Sequence, residues 1–187
     1  MKIKLIRINK VKSTNDEALK LIKKNKIYPT IVFSDKQTKG RGTAGKKWVS
    51  LKGNMFLSIL FQFNPKKINF RQYAILNAYL IRQILNKYIT KKVRIKWPND
   101  LVIEKKKICG ILQEVINYKE NFFLIVGIGI NTHFSPSILN LKACSLANFS
   151  QKKVDNNRIL KDIIKSYEKF IDDCKKYNFE FLKKRLK

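Results

Sequence analysis

The chain has 187 residues, of which 44% are hydrophobic and 11% aromatic, and this composition excludes a disordered protein. A chain of this length buries about 70% of its unfolded surface on folding, which is enough for one core. Its 41 basic and 13 acidic residues give a net charge of +28. No apolar run reaches the ~18 residues of a membrane span and no signal-peptide pattern opens the chain, so a cytoplasmic location without membrane contact is expected.

The strongly basic character suits nucleic acid, an anionic membrane or an acidic protein as partner. The lysines are scattered, however, and few arginines accompany them. No nucleic-acid reading motif can be identified, so specific DNA binding is not expected. AT-rich codon usage, which also favours Asn and Ile, is an alternative explanation of the lysine excess.

The cysteine and histidine content of the chain does not favour a metal site or a catalytic nucleophile. The cysteines Cys109, Cys144 and Cys174 are widely spaced and form no C-x-x-C pair, and His133 is the only histidine. A zinc site is therefore not expected, and buried free thiols are the better interpretation. No G-x-S-x-G or similar motif surrounds His133, so a catalytic triad is not expected either.

Hydrophobic periodicity predicts an α+β fold in one domain over residues 1–187. Thr14 and Glu17 form a capping-box pattern, with Thr14 as the N-cap of a helix whose apolar stripe includes Ala18 and Ile22. The further predicted elements are strands over residues 2–8, 30–34, 54–63, 93–97, 101–103, 107–116 and 122–130, and helices over residues 70–88 and from residue 156 to the end. We therefore expect about six or seven strands in a single mixed, mostly antiparallel sheet with helices packed on one face.

Residues 35–47 cannot form regular structure, because Gly40, Gly42 and Gly45 lie within six positions. Glycines let backbone N–H groups approach a ligand closely, and a neighbouring cation such as Arg41 suits phosphate. The G-x-G-x-x-G spacing lacks the following helix and the distant acid of a dinucleotide site, and the P-loop pattern fails as well. Alone, the motif is weak, and the segment is also consistent with a flexible basic surface loop.

Three further segments combine polar residues with apolar strands. The turn in KWPND, residues 96–100, can present an amide and a carboxylate to Mg²⁺ or to a ribose. The segments KICGILQE, residues 107–114, and GIGIN, residues 127–131, place glycines in apolar strands, where they leave room for a ligand against the sheet. Each segment is also consistent with a purely structural turn or strand.

Together and in this order, these segments resemble the biotin–protein ligases. The matching motifs are STN at residues 13–15, QTKGRGTAGKKWVS at 37–50, KWPND at 96–100, KICGILQE at 107–114 and GIGIN at 127–131. The resemblance spans about residues 5–132, and the C-terminal helices fit the end of the family's catalytic domain. It implies the class II synthetase-like fold of the biotin–lipoate ligase catalytic domain.

The resemblance also implies an activity. Biotin's carboxylate would attack the α-phosphate of ATP to give biotinyl-5′-AMP and pyrophosphate, and a carrier lysine would then displace AMP. The carrier would be the acidic biotin carboxyl carrier domain of acetyl-CoA carboxylase. Biotin, ATP and Mg²⁺ would be substrates, and no tightly bound prosthetic group is expected. An exposed edge strand would permit a homodimer.

Site residues follow from the same resemblance. Those implied for biotin are Ser13, Thr14, Gln37, Gly40, Arg41, Lys107, Gly110 and Gly127. Those implied for ATP are Thr43, Lys46, Trp48, Asn99, Asp100 and Asn131, with Asp100 as the Mg²⁺ ligand. Those implied as catalytic are Lys107, which would hold the carboxylate and then the acyl phosphate, Asp100 and Arg41. Trp48 also fits a core position and Asn131 a strand-end turn, while Glu114 is interpreted as structural.

Two features depart from the family pattern. Thr43 and Lys46 stand where many members have arginine, so Lys46 keeps the charge without the planar fork and Thr43 has no charge. The arginine at the position of Thr43 is associated with holding the adenylate, so weaker retention of biotinyl-AMP is predicted. In addition, no helix-turn-helix domain precedes Ser13 and no SH3-like barrel follows Lys187, so a catalytic domain alone is expected.

Three alternatives stay open. Lipoate–protein ligase shares the fold and a catalytic lysine, although the KWPND and GRG segments favour biotin. A relative that binds biotin with impaired turnover is consistent with Thr43. A nucleic-acid-binding protein is supported only by the net charge of the chain.

Overall fold

The computed structural model describes residues 1–137 and 142–187. Within these ranges, no helix has the length and apolar content needed to cross a membrane. The elements are β1 (Lys4–Ile8), α1 (Thr14–Lys23), β2 (Thr30–Ser34), β3 (Met55–Gln62), α2 (Phe70–Leu85), β4 (Arg94–Lys96), β5 (Asp100–Ile103), β6 (Lys106–Tyr118), β7 (Asn121–Ile130), α3 (Asn156–Lys176) and α4 (Phe179–Leu186).

The strands form one sheet in the order β1-β2-β3-β7-β6-β5-β4. The strands β1 and β2 are parallel, and every other neighbouring pair is antiparallel. The predicted mixed, mostly antiparallel sheet is therefore confirmed. The hairpin β6–β7 lies near its centre and turns at Lys119 and Glu120, whose φ angles of 47° and 63° suit a two-residue hairpin loop. This turn is tighter than the sequence predicts.

Helices cover both faces of the sheet, whereas the sequence predicts helices on one face only. The helices α2, α3 and α4 pack on one face around the main hydrophobic core. The helix α1 lies on the other face, where Ala18 and Ile22 pack against Val32, Leu60 and Phe123. Because β3 is apolar on both of its faces, its pattern does not indicate which face a helix covers.

Three helix boundaries differ from the predicted ones. Ser13, rather than Thr14, is the N-cap residue of α1, because the Thr14 side chain bonds to a neighbouring loop instead. The C-terminal helical region is divided in two: the Asn178 side chain accepts a hydrogen bond from the backbone N–H of Phe181 and starts α4. The helix α2 also ends earlier than predicted.

A buried polar chain joins three elements beneath the sheet. The hydroxyl of Tyr167 on α3 donates to Asn77 Oδ1 on α2 at 2.8 Å, and both residues are fully buried. Asn77 Nδ2 in turn donates to Gln113 Oε1 on β6 at 2.5 Å. Because buried polar groups are costly when unpaired, this row of hydrogen bonds fixes how α2 and α3 sit against β6.

Replacing Tyr167 with phenylalanine removes the donor to Asn77 and leaves a carbonyl oxygen buried. We expect Tyr167→Phe to lower the free energy of unfolding by about 1–3 kcal/mol, measured by urea denaturation. The control is Tyr177→Phe, because Tyr177 is partly exposed, and its effect should stay within about 0.5 kcal/mol. Equal losses in the two variants would contradict a stabilising role for this hydrogen bond.

Candidate active site

A cavity of about 480 Å³ lies on the face of the sheet that carries α1. Its walls are the start of α1, the glycine-rich loop (residues 40–48), the turn before β5, and the strands β6 and β7. The predicted site residues that line it are Ser13, Thr14, Gln37, Arg41, Thr43, Lys46, Trp48, Asn99, Asp100, Lys107, Gly110, Gly127 and Asn131. Gly40 is the exception: it is buried beneath the loop, where a Cβ atom would lie 2.7 Å from the Trp48 carbonyl oxygen.

The floor of the cavity is formed by glycines on β6 and β7. Gly110 and Gly129 are cross-strand partners, and Gly127 lies two residues along β7 on the same face. A Cβ atom on Gly110 would lie 2.6 Å from the Trp48 ring, and one on Gly127 would lie 2.9 Å from the carboxamide carbon of Asn15. Side chains at these positions would displace the residues that wall the cavity, so the floor requires glycine.

Hydroxyl and amide groups converge near Gly127, and we call Ser13, Thr14, Asn15, Gln37 and Ser58 the polar end. Gln37 Oε1 accepts hydrogen bonds from the Thr14 backbone N–H at 2.8 Å and from Thr14 Oγ1 at 3.1 Å. Ser58 Oγ lies 2.7 Å from Thr14 Oγ1 and 2.5 Å from Asn15 Oδ1. This network holds the polar groups in fixed positions, so they are preorganised for a ligand head that both donates and accepts.

Lys107 lies at the other end of the floor, beside Gly110. Its Nζ is 2.6 Å from Asp100 Oδ1 and 5.1 Å from the centroid of the Trp48 ring. The side chains of Lys107 and Asp100 are 26% and 23% exposed, so the ion pair is largely shielded from water. The carboxylate and the aromatic face hold the ammonium in place. Trp48 is thus a wall of the cavity, which favours the binding interpretation over a core role.

The lining of the cavity is strongly cationic. The basic residues in it are Arg41, Lys46, Lys47, Lys96, Lys105, Lys107 and Lys142. Asp100 is the only carboxylate among the lining residues that the structure describes. Among the described residues, Arg41 and Lys107 form ion pairs. Within that part of the chain, the other five basic residues of the lining form none. Such a cavity attracts anions such as carboxylates and phosphates.

Asn99 and Asn131 have structural partners at the edge of the cavity. Asn99 Nδ2 donates to the Ile111 carbonyl at 3.0 Å and ties the KWPND turn to β6. Asn131 is buried, and its Nδ2 donates to the Cys144 carbonyl at 3.2 Å. Its Oδ1 is buried without a partner in the described residues. Both amides therefore position the backbone around the cationic end, and Asn131 keeps one acceptor available.

The guanidinium of Arg41 bonds to the sheet instead of pointing at Lys107. It donates to both carboxylate oxygens of Glu114 at 2.8 Å and lies 2.9 Å from Asp16 Oδ1. The hydrogen bonds to Glu114 raise the pKa of Arg41. Asn15 Nδ2 also donates to Glu114 Oε2, at 2.6 Å. Sequence reasoning assigned Glu114 only a structural role, although the two-residue period of β6 places it on the same face as Gly110.

The cavity offers few ligands for a metal ion. The described ranges contain no group of three or more His, Cys, Asp or Glu side chains that could hold one. Asp100 is the single carboxylate at the cavity, and Mg²⁺ commonly binds through one or two carboxylates together with substrate phosphates. A magnesium ion at this cavity would therefore have Asp100 as its protein carboxylate and would need its other ligands from a bound phosphate compound and water.

The cysteines are not suited to nucleophilic chemistry. Cys109, Cys144 and Cys174 are all buried and form no disulfide. Burial raises the pKa of Cys144 to about 11 and that of Cys174 to about 12, and it raises the pKa of Cys109 further. At neutral pH all three are protonated thiols that act as apolar core residues.

A glycine floor between a polar end and a cationic end defines a binding protein or enzyme for an elongated ligand that has a polar head and an anionic tail. The chain belongs to the biotin/lipoate A/B protein ligase family, whose model matches residues 7–131.

Solved and curated relatives agree with this assignment. The biotin protein ligase of Aquifex aeolicus in complex with biotin and ATP superposes with a TM-score of 0.81 at 31% identity, covering 98% of this chain and 76% of that one. The bifunctional ligase/repressor BirA of Bacillus subtilis is 32% identical over 177 residues, which are 91% of this chain and 54% of that protein. The biotin–[acetyl-CoA-carboxylase] ligase of Mycobacterium tuberculosis is 26% identical over 147 residues, 76% of this chain and 54% of that protein. The chain thus spans about half the length of these curated relatives.

Gly129→Ala tests the position of Trp48 on the floor. A Cβ atom at residue 129 would lie 2.6 Å from Trp48 Nε1, so we expect the ring to move towards solvent, at a cost of about 1–3 kcal/mol in stability. In a Trp97→Phe background, which leaves Trp48 as the only tryptophan, its emission should shift to longer wavelength and be quenched more by acrylamide. Quenching equal to that of the Trp97→Phe parent would contradict the contact.

Proposed function

We propose that the chain is the catalytic domain of an ATP-dependent biotin–protein ligase. The observation that carries this proposal is the glycine floor of the cavity. The polar end lies at one side of this floor, and the half-buried Lys107 lies at the other. Gly127 and Gly129 lie two residues apart on β7, and this spacing separates the ends by roughly 7 Å along the strand. The ureido ring of biotin occupies the polar end, its sulfur-containing ring and chain cross the glycines, and its carboxylate reaches Lys107.

The polar end favours biotin over lipoate. Thr14, Asn15, Gln37 and Ser58 present hydroxyl and amide groups, three of them on buried residues. The ureido group of biotin can donate to and accept from such groups, whereas the dithiolane ring of lipoate carries no N–H, O–H or carbonyl. These groups already bond to one another, and a lipoate ring would leave their remaining donor and acceptor capacity unused, which a site built for hydrogen bonding disfavours.

Lys107 serves the adenylation step. Its ammonium neutralises the biotin carboxylate on binding and the developing charge as a carboxylate oxygen bonds to the α-phosphorus of ATP and the bond to pyrophosphate breaks. Asp100 holds Lys107 in place and is the residue that would contact a magnesium ion, which supplies charge neutralisation at the phosphates when bound. No nucleophilic side chain is needed, since both reacting groups belong to the substrates.

In the second step of the proposed reaction, a lysine on an acidic carrier domain attacks the acyl carbon and releases AMP. The net charge of +28 accelerates the encounter with such a partner more than it tightens the complex.

The strands β1 and β4 are the edges of the sheet, and either edge permits pairing with a second copy. Three buried free thiols suit a reducing compartment such as the cytoplasm.

Biotin-dependent exchange of pyrophosphate into ATP tests the proposal, with lipoate as the parallel substrate. We expect exchange with biotin and none with lipoate. Exchange with lipoate alone would move the chain to the lipoate branch of its family. Biotin binding without exchange would support a relative with impaired turnover.

Lys107→Gln removes the cation while preserving most of the side-chain length. We expect the biotin-dependent exchange rate to fall by about 100-fold, because a preorganised charge at the reacting oxygens is lost. The matched control is Lys106→Gln, since the adjacent lysine is exposed outside the cavity. Similar rates for the two variants would contradict the role of Lys107.

Thr43→Arg tests whether this chain retains its adenylate weakly. Thr43 is exposed at the mouth of the cavity, and an arginine there adds a charged fork for the phosphate. We expect release of biotinyl-AMP, followed in single-turnover experiments, to slow by about tenfold. Thr43→Gln supplies a long uncharged side chain as control. A release rate that Thr43→Arg leaves unchanged would contradict the prediction.

A further inference from the structure

A cluster of charged residues outside the reacting region ties the glycine-rich loop to the sheet. It consists of Arg41 on the loop, Glu114 on β6 and Asp16 on α1, and we call these three residues the loop latch. Arg41 makes two parallel hydrogen bonds to Glu114, each 2.8 Å long, and its Nη2 is also 2.9 Å from Asp16. Paired bonds of this kind fix both the distance and the orientation of the arginine.

The loop is closed on itself around the latch. The backbone N–H of Trp48 donates to the Gly40 carbonyl at 2.9 Å, and that of Gly42 donates to the Lys46 carbonyl at 2.7 Å. Arg41 and Lys47 form a bridge between these bonds. These bonds hold the segment together as one unit. In the described residues, the latch provides the ion pairs between the side chains of this segment and the rest of the protein.

The latch is continuous with the polar end through one side chain. Asn15 Nδ2 donates to the same Glu114 oxygen that Arg41 engages, at 2.6 Å. The Asn15 Oδ1 atom lies 2.5 Å from Ser58 Oγ, and the carboxamide rests on Gly127. Glu114 thus touches the loop on one side and the binding groups of the cavity on the other.

We propose that Glu114 is a positioning residue, which holds the glycine-rich loop over the polar end and orients Asn15 so that the head of the ligand is enclosed. The inference rests on the proposed function for the identity of that ligand, the ureido head of biotin. Glu114 acts before the chemical step: it sets how often the loop is closed and leaves the reaction of the closed complex unchanged.

The first experiment needs no ligand. Glu114→Gln keeps the size of the side chain but removes its charge and one of the two acceptors for Arg41. Trypsin cleavage after Lys46 and Lys47, located by mass spectrometry, should become about tenfold faster in this variant, because cleavage requires the loop to open. Glu17→Gln is the matched control: Glu17 lies on the same helix as Asp16 and pairs only with Lys20 in the described residues, so its cleavage rate should equal that of the parent.

The second experiment measures pyrophosphate exchange. Glu114→Gln should raise the KM for biotin by about tenfold and leave kcat at saturating biotin unchanged, because biotin can then drive the loop closed. Arg41→Lys keeps the charge without the fork and should show a smaller increase. Glu114→Gln added to Arg41→Lys should raise KM less than it does in the parent, since the two residues act as a pair.

The outcomes separate the two proposals. Faster cleavage in Glu114→Gln without any biotin-dependent exchange in the parent chain supports the latch and overturns the ligase function. Unchanged cleavage in a Glu114→Gln variant that melts like the parent overturns the latch whatever the enzyme activity. A fall in kcat with unchanged KM also overturns it, because Glu114 would then act on the reacting groups.

Discussion

The candidate site depends on glycine at three positions, where no side chain covers the sheet. On the face of the hairpin β6–β7 that carries α1, positions 110, 127 and 129 are glycine, so the apolar layer that continues under α1 stops at this point. The opposite face of the same strands belongs to the main hydrophobic core, to which α2, α3 and α4 also contribute. Stability is therefore supplied by one face of the sheet, and the other is left with a floor on which a ligand can lie.

Carboxylates are scarce in this chain, and those near the cavity each hold a cation. Asp100 holds Lys107 at one end, while Glu114 and Asp16 hold Arg41 at the other. With 13 acidic residues against 41 basic ones, most cations at the mouth stay available for an anionic ligand. The acids are thus used to orient two particular cations, and the field of the others attracts the substrate without orienting it.

Sequence patterns predicted most of the sheet and the sites of the cavity-lining motifs, because strands such as β3 and β7 are short apolar runs with clear boundaries. They could not predict that α1 covers a separate face, since both faces of β3 are apolar. They also missed the pairing of Arg41 with Glu114, which are 73 positions apart in the chain. Such contacts depend on which distant strands come together and on the path of the loop, and local periodicity reports neither.

The glycine-rich loop separates two tasks within a few residues. The side chain of Arg41, although 40% exposed, bonds to Glu114 on β6, while Thr43 and Lys46 are exposed at the mouth of the cavity. The change of direction comes from a short 3₁₀ turn over Thr43–Gly45, in which Ala44 and Gly45 have φ angles of 53° and 72°. In the described residues, the side chains of Thr43 and Lys46 form no hydrogen bond or ion pair with Arg41, Glu114 or Asp16, so a change of charge at the mouth leaves the latch pairs in place. Threonine at position 43 is therefore compatible with the anchoring of the loop by Arg41, since distant side chains without shared partners act independently.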